Sequence, residues 1–196
     1  MPRRARGSLE TNKALGGVGA LLMVIGPLSG AYTGVLGLVG LILVLIALKR
    51  LSDYYNAKGI FNNALYGTII AIIGVVVFVA GIVVAAVGLL SDLGIAWGDW
   101  AGLQEVDWQP VTWDIIEPHI AVIIGSLVAL FVFVVVSAIF LRKSLTTLST
   151  KTGVNMFGTA GLLMLIGAVL TIILIGLILI WVALILLTVA FFSIKT

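Results

Sequence analysis

Few side chains in this 196-residue sequence could do chemistry, and they lie outside its apolar stretches. His119 is the single histidine, and Asp114 and Glu117 stand close to it in sequence. A carboxylate beside an imidazole could bind a metal ion or titrate near neutral pH. The alternative is an interfacial histidine at the start of a helix, with Pro118 in its first turn. We favour this alternative, and the sequence predicts no metal site and no cofactor.

Acidic residues and tryptophans share one predicted loop, residues 91–116, which has no lysine or arginine. Its carboxylates could hold a divalent cation loosely, but their spacing is not that of an EF-hand. Tryptophans beside a membrane exit usually form an interfacial belt, although a platform for a sugar, a lipid headgroup or a partner is the alternative. The residues in and next to this loop are Asp92, Asp99, Glu105, Asp107, Asp114, Glu117, Trp97, Trp100, Trp108 and Trp113.

Most catalytic classes find no support in the sequence. Cysteine is absent, which excludes disulfides, thiolate metal sites and cysteine nucleophiles. Asp53 has no histidine or second acid nearby, no glycine-rich phosphate loop is present, and Ser144 and Thr146 are interpreted as loop hydroxyls. We therefore predict no catalytic residue, no enzyme activity and no nucleic-acid partner.

The composition predicts an all-α integral membrane protein whose first partner is the lipid bilayer. Hydrophobic residues make up 62% of the chain and charged residues 10%, with a mean hydropathy of +1.30. Soluble domains average about 45–50% and about 25%. Uncharged stretches at 64–90, 120–141 and 154–194 exceed the length of about 20 residues that a membrane-spanning helix needs.

A repeat brackets the chain. Residues 17–26 align with residues 158–167 at an offset of 141, which also places Leu51 and Ser52 over Phe192 and Ser193. This similarity predicts two helical hairpins, at 13–52 and 154–193, flanking two central helices at 61–90 and 117–141. It also argues against a signal peptide at the basic N-terminus, because the same apolar pattern returns near the C-terminus.

Each repeat is too long for one crossing, since its apolar part would measure more than about 50 Å as a straight helix. Pro27 and Gly30 mark a helix break in the first repeat, and 171–176 is the predicted turn of the second. If each repeat is a hairpin, all eleven lysines and arginines fall on one side, as the positive-inside rule requires. We predict a multi-pass protein with both termini cytoplasmic and outer hairpins that either cross or re-enter. Its six segments lie near 14–28, 33–48, 61–90, 117–141, 156–171 and 174–193.

A seam of small residues runs along the third segment. Glycines recur there at intervals of seven, which lets a partner backbone approach closely in lipid. We interpret the seam as helix packing, within the chain or between subunits, and the alternative is a pore or a substrate groove. Its members are Gly67, Ala71, Gly74, Gly81, Ala85 and Gly88.

Three stretches resemble a group of mainly archaeal membrane proteins known as domain of unknown function number 996. They are residues 15–27, residues 48–65 with their Lys-Arg-Leu-Ser-Asp-Tyr-Tyr run, and the closing residues 190–194. The resemblance implies an archaeal plasma-membrane location. It implies no catalytic or binding residue, because none is assigned in that family.

Two functions remain open from the sequence. The first is a structural or accessory protein that packs into a larger membrane assembly or a homo-oligomer, and the glycine seam favours it. The second is a small transporter or channel built from parallel hairpin repeats. The segments have no charged residue near their middles, which argues against proton-coupled transport.

Overall fold

The described residues of the protein are mostly α-helical. A computed structural model describes residues 3–30, 33–99, 102 and 112–195, and these residues form no β-strand. All six long helices of this part are long and apolar enough to cross a membrane, which confirms the predicted all-α class with six segments. They are α1 (Arg3–Ile25), α2 (Thr33–Tyr54), α3 (Lys58–Asp92), α4 (Trp113–Thr152), α5 (Asn155–Leu170) and α6 (Ile175–Phe192).

Two helices are longer than the membrane segments predicted within them. Helix α1 begins at Arg3 rather than near residue 14, and α4 continues to Thr152 rather than ending near residue 141. Arg142 and Lys143 therefore lie in a helix and not in the predicted loop. The helix continues past these charges because Leu145 and Leu148 extend its buried face and are 3% and 0% exposed.

The first hairpin turns at a proline. Pro27 lies in a 3₁₀ turn, Gly26–Leu28, directly after α1. The Ser29 hydroxyl donates a hydrogen bond of 2.6 Å to the Gly26 carbonyl, and Gly30 has φ +59°, which a residue without Cβ adopts readily.

The second hairpin turns without proline. A 3₁₀ turn, Thr171–Ile173, is followed by Leu174 at φ 63°, a left-handed conformation uncommon for leucine. A Cβ placed on Gly176 would overlap the Gly167 carbonyl, so only glycine allows α5 and α6 to meet this closely. The turn lies within the predicted range 171–176.

The chain divides into two compact units. The first contains Met1–Ile70 and Val135–Thr196, and the second contains Ala71–Val134. In the first unit the two hairpins meet through α1 and α6, which run antiparallel. The Phe191 ring lies over Gly16 and the Phe192 ring over Gly17, and the Trp181 indole donates a hydrogen bond of 2.9 Å to the Val24 carbonyl.

The core of the first unit sits at the helix ends that carry the basic residues, and all six helices contribute to it. The Phe157 and Phe191 rings meet edge to face with centroids 5.1 Å apart. The buried Ser144 hydroxyl donates a hydrogen bond to the Ile60 carbonyl and so joins α4 to α3. Ser144 is therefore a packing residue, which corrects its interpretation as a loop hydroxyl.

Burial follows the repeat in one pair of helices and shifts in the other. Gly19 and its counterpart Ala160, at the offset of 141, are both buried. In α2 and α6, however, Leu51 is 0% exposed while Phe192, its partner at that offset, is 49% exposed. An offset of 139 instead pairs Leu51 with the fully buried Ala190. The second hairpin thus turns with two fewer residues, and the duplication itself stays a prediction.

Replacing Gly40 with alanine should destabilise the first hairpin. A Cβ there would lie 2.5 Å from the Gly19 carbonyl oxygen, so α1 and α2 must move apart. Overpacking of this kind typically costs about 1–3 kcal/mol. Gly37→Ala is the matched control on α2, because its Cβ would meet nothing within 4 Å. Thermal unfolding in mild detergent should show a lower midpoint for G40A only, and equal midpoints would contradict the close approach.

Candidate functional site

The glycine seam of α3 lies against α4 of the same chain. A Cβ on Gly74 would lie 2.5 Å from the Phe133 Cβ, and a Cβ on Gly81 would overlap Ser126. In the first unit, a Cβ on Gly67 would lie 3.0 Å from the Ser137 carbonyl oxygen. The seam is therefore occupied by a helix of this chain at each of these positions.

The residues of α4 that meet the glycines follow the same spacing. This heptad was not among the sequence predictions. His119, Ser126, Phe133 and Phe140 recur at intervals of seven, just as the glycines do. Each step of seven up α3 meets a step of seven down α4, which is the signature of antiparallel knobs-into-holes packing. The matching heptads were present in the sequence and could have identified α4 as the partner.

The alanines of the seam take part to different degrees. Ala85 is 2% exposed and Ala71 is half-buried. The opposite faces of both helices carry exposed valines and isoleucines, such as Val76 and Val84 at about 60% exposure. Apolar surface of this kind suits contact with lipid.

One polar pair sits at the end of the seam in the second unit. Gly88 leaves room for the His119 imidazole, whose Cε1 atom would lie 2.7 Å from a Cβ there. The His119 Nε2 atom lies 2.8 Å from a carboxylate oxygen of Asp92, one helical turn beyond Gly88. The ring is mostly buried, while the Asp92 side chain is half exposed. The pair therefore joins α3 to α4 at this end.

The structure changes the predicted surroundings of His119. Its partner is Asp92, 27 residues away, rather than Asp114 or Glu117. Pro118 lies inside α4, beyond the first turn, because the helix begins at Trp113. Among the described residues, no group of three or more histidine, aspartate or glutamate side chains could hold a metal ion. The arrangement acts as a polar contact between two helices.

The predicted tryptophan belt is partly described. Trp97 is 66% exposed, and Trp113 opens α4 with 63% exposure. Trp100 and Trp108 lie outside the described residues. Because α4 begins at Trp113, the predicted loop 91–116 ends four residues later than the structure has it.

A polar hollow of the first unit lies at the basic helix ends and measures about 610 Å³. Asn63 of α3 and Leu165 of α5 form two of its walls. Arg142, Lys143 and Thr146 of α4 form the third, with Ile139 one turn further into the apolar stretch. Cations, an amide and a hydroxyl thus face one space that is apolar at its far end.

A second hollow at the same end measures about 460 Å³ and is lined by residues of α1 and α2, including Asn12 and Arg50. Lys49 and Asp53 form an exposed ion pair of 2.9 Å on α2. Burial, with a smaller contribution from Tyr54, raises the pKa of the Tyr55 phenol in the following turn. Both Arg50 and Asp53 line this second hollow. The Asp53 carboxylate makes the second hollow less suited to an anion than the first.

Comparison with known proteins identifies the family. The family model described as a protein of unknown function (DUF996) matches residues 36–185, about three quarters of the chain. The chain belongs to the DUF996 family. An uncharacterized protein of Methanocaldococcus jannaschii is 31% identical over 185 residues, which cover 94% of this chain and 92% of that protein. No solved structure matches.

The DUF996 match includes the whole seam, the Asp92–His119 pair and the first hollow, while Pro27 and Gly30 lie outside it. The family model confirms the resemblance seen in the sequence, and the similar protein is archaeal, as the resemblance implies. Neither names an activity.

In this DUF996 member, Gly74→Leu should separate α3 from α4. A leucine would push directly against Phe133, and the unfolding midpoint in detergent should fall by an amount matching about 1–3 kcal/mol or more. Gly125→Leu on α4 is the matched control, because a Cβ there meets nothing within 4 Å. Equal stability of the two variants would show that the seam is not tightly packed.

Asp92 and His119 should be energetically coupled. A double-mutant cycle with Asp92→Asn and His119→Gln should give a coupling energy of about 0.2–1 kcal/mol, since half of the Asp92 side chain is exposed to solvent screening. Strict additivity of the two substitutions in thermal unfolding would contradict the contact.

Proposed function

We propose that this protein is a structural or accessory subunit of a plasma-membrane assembly, with both termini on the cytoplasmic side. The observation that carries the proposal is the depth at which the two hairpins turn. It follows from contacts between neighbouring helices of the first unit.

Contacts between α5 and α4 support a depth for the second turn. Gly158 lies beside Ser149, and a Cβ on Gly161 would lie 3.2 Å from the Arg142 Cα. Helix α5 ends at Leu170, so it extends about 14 Å beyond the level of Arg142 at 1.5 Å per residue. The hydrocarbon core of a bilayer is about 30 Å thick. If Arg142 marks its edge, this length supports a second turn near mid-depth.

Contacts between α1 and α6 place the first turn at a similar level. Gly16 lies beside Phe191, and the Val24 carbonyl accepts the hydrogen bond of Trp181. Helix α1 ends at Ile25, within about two helical turns of the level at which α6 begins. If Arg142 marks the edge of the hydrocarbon, both hairpins re-enter, and only α3 and α4 cross.

The composition of the turns supports a position inside the membrane. Leu28 is 73% exposed in the first turn, and Ile172 and Leu174 are 73% and 71% exposed in the second. Neither turn contains a charged residue. Large apolar side chains at such exposure would be unfavourable in water and are favourable in hydrocarbon.

Lipid offers no hydrogen-bond partner to irregular backbone such as that of these turns. Helix ends leave carbonyl groups without intrahelical hydrogen bonds, and irregular backbone at membrane depth is tolerated only inside protein or beside water. A second protein chain over the turns satisfies this requirement. The candidate covers are another copy of this chain or a different membrane subunit.

A transporter or channel is the second candidate, because the same turns could line a water-filled cavity. Broken helices that meet near mid-depth favour this alternative. The membrane stretches have no charged residue near their middles, however, and the seam between α3 and α4 is filled by side chains. These two features support assembly over transport.

The orientation is proposed from charge. All eleven lysines and arginines lie at the N-terminus or at the helix ends that meet around the core of the first unit. The loop after α3 has none. The positive-inside rule assigns the basic ends to the cytoplasm.

Single-cysteine labelling tests the depth, and the cysteine-free chain gives a clean background. Leu174→Cys should resist a membrane-impermeant maleimide in intact and in permeabilised cells, because the turn lies within the membrane. Asp99→Cys should label in intact cells, and Thr150→Cys only after permeabilisation. Labelling of L174C from outside would show that the hairpin crosses.

Cross-linking tests the cover over the turns. In the solubilised and reconstituted assembly, a photoreactive maleimide attached to L174C should join this chain to a second chain. The purified assembly in mild detergent should have a mass above that of one 20.6 kDa chain. A monomer without cross-links, combined with solute flux in liposomes, would favour the transporter and contradict the subunit.

A further inference from the structure

We propose that the hollow between α3, α4 and α5 binds a phosphate group, and that a phospholipid headgroup supplies it. The hollow is the one lined by Asn63, Ile139, Arg142, Lys143, Thr146, Thr147 and Leu165. No residue of the two hairpin turns, on which the proposed function depends, lines this hollow.

Two adjacent cations in the hollow have no carboxylate to neutralise them. In the described part of the chain, the ion pairs join Lys49 to Asp53 and His119 to Asp92, so no described carboxylate lies within 4 Å of Arg142 or Lys143. Both side chains are exposed. Arginine recognises phosphate through a planar fork of donors, and lysine adds a point charge.

Polar neighbours complete a phosphate site. The half-buried Asn63 of α3 and the exposed Thr146 of α4 bring an amide and a hydroxyl into the same space. The neighbouring Thr147 hydroxyl donates to the Lys143 carbonyl at 2.9 Å, so it holds the helix rather than a ligand. Donors thus reach the hollow from two helices.

The walls of the hollow are fixed by tight contacts. The buried Ser144 hydroxyl joins α4 to the Ile60 carbonyl of α3 on one side. On the other side Gly161 brings α5 against the backbone of Arg142. A preformed site of this kind loses little freedom when it binds a ligand.

The apolar end of the hollow favours a lipid over a soluble ion. Arg142 and Lys143 are the first charges after the apolar stretch of α4, so they mark the edge of the hydrocarbon. Ile139 and Leu165 line the hollow on the hydrocarbon side, where an acyl chain would lie. The Lys143 ammonium lies 5.6 Å from the Phe140 ring, which holds the charge close to this edge.

The test compares charge removal inside and outside the hollow. Native mass spectrometry of the full chain in mild detergent should show retention of added phosphatidylglycerol. The double variant Arg142→Gln, Lys143→Gln should weaken this binding about tenfold or more, because two charge-assisted contacts are lost. The double variant Lys58→Gln, Lys151→Gln removes the same charge from exposed positions outside the hollow and should bind within about twofold of wild type.

Two further arms identify the source of the phosphate. Leu165→Trp fills the apolar end and keeps both cations, so it should weaken phosphatidylglycerol binding if an acyl chain lies there. Inorganic phosphate alone at millimolar concentration should neither raise the unfolding midpoint nor displace the lipid. If inorganic phosphate raises the midpoint of wild type and not of R142Q/K143Q, the site binds free phosphate, which overturns the lipid source and supports the phosphate site.

Equal weakening by both charge variants would mean that the basic helix ends attract anionic lipid without a site, and it would overturn the proposal. Absence of phosphatidylglycerol and phosphate binding in a wild-type protein with a cooperative unfolding transition would do the same.

Discussion

Hydrocarbon offers no hydrogen-bond partner to a peptide group, and this constraint shapes the whole protein. The six long helices of the described chain satisfy it through the hydrogen bonds within each helix. Two short stretches of irregular backbone are the exceptions, the turn after α1 and the turn after α5. Their apolar side chains suit lipid while their backbone does not, and this conflict leads to the proposal that another chain covers them.

In lipid the hydrophobic effect does not drive helices together, so association depends on close packing. Glycine allows this because it has no side chain to hold the helices apart. Gly19 and Gly40 bring α1 to α2, Gly167 and Gly176 bring α5 to α6, and the seam of α3 receives side chains of α4. Gly88 differs from the rest of the seam because the group it admits is the imidazole of His119. Close packing therefore also positions the polar pair that joins the two central helices in the second unit.

Composition and periodicity were sufficient to predict the helical class and the six long apolar helices. The Asp92–His119 pair escaped prediction because it joins residues 27 positions apart, and a local search finds only Asp114 and Glu117. The full length of α4 was not predicted because Arg142, the first charge after its apolar stretch, was taken as the end of the helix. Leu145 and Leu148 instead continue a buried face past Arg142. The heptad of α4 was visible in the sequence, but it gains meaning only beside the matching glycines of α3.

The depth of the turns could not come from the sequence, because charge placement is identical for a hairpin that crosses and one that re-enters. The proposed depth depends on the register of α5 against α4, which is given by the contacts of Gly158 and Gly161. The most direct measurement is an experimental structure of the purified assembly in lipid nanodiscs. We expect Leu28 and Leu174 near the bilayer midplane, in contact with a second protein chain. Either residue at the aqueous surface, or facing lipid alone, would contradict this account.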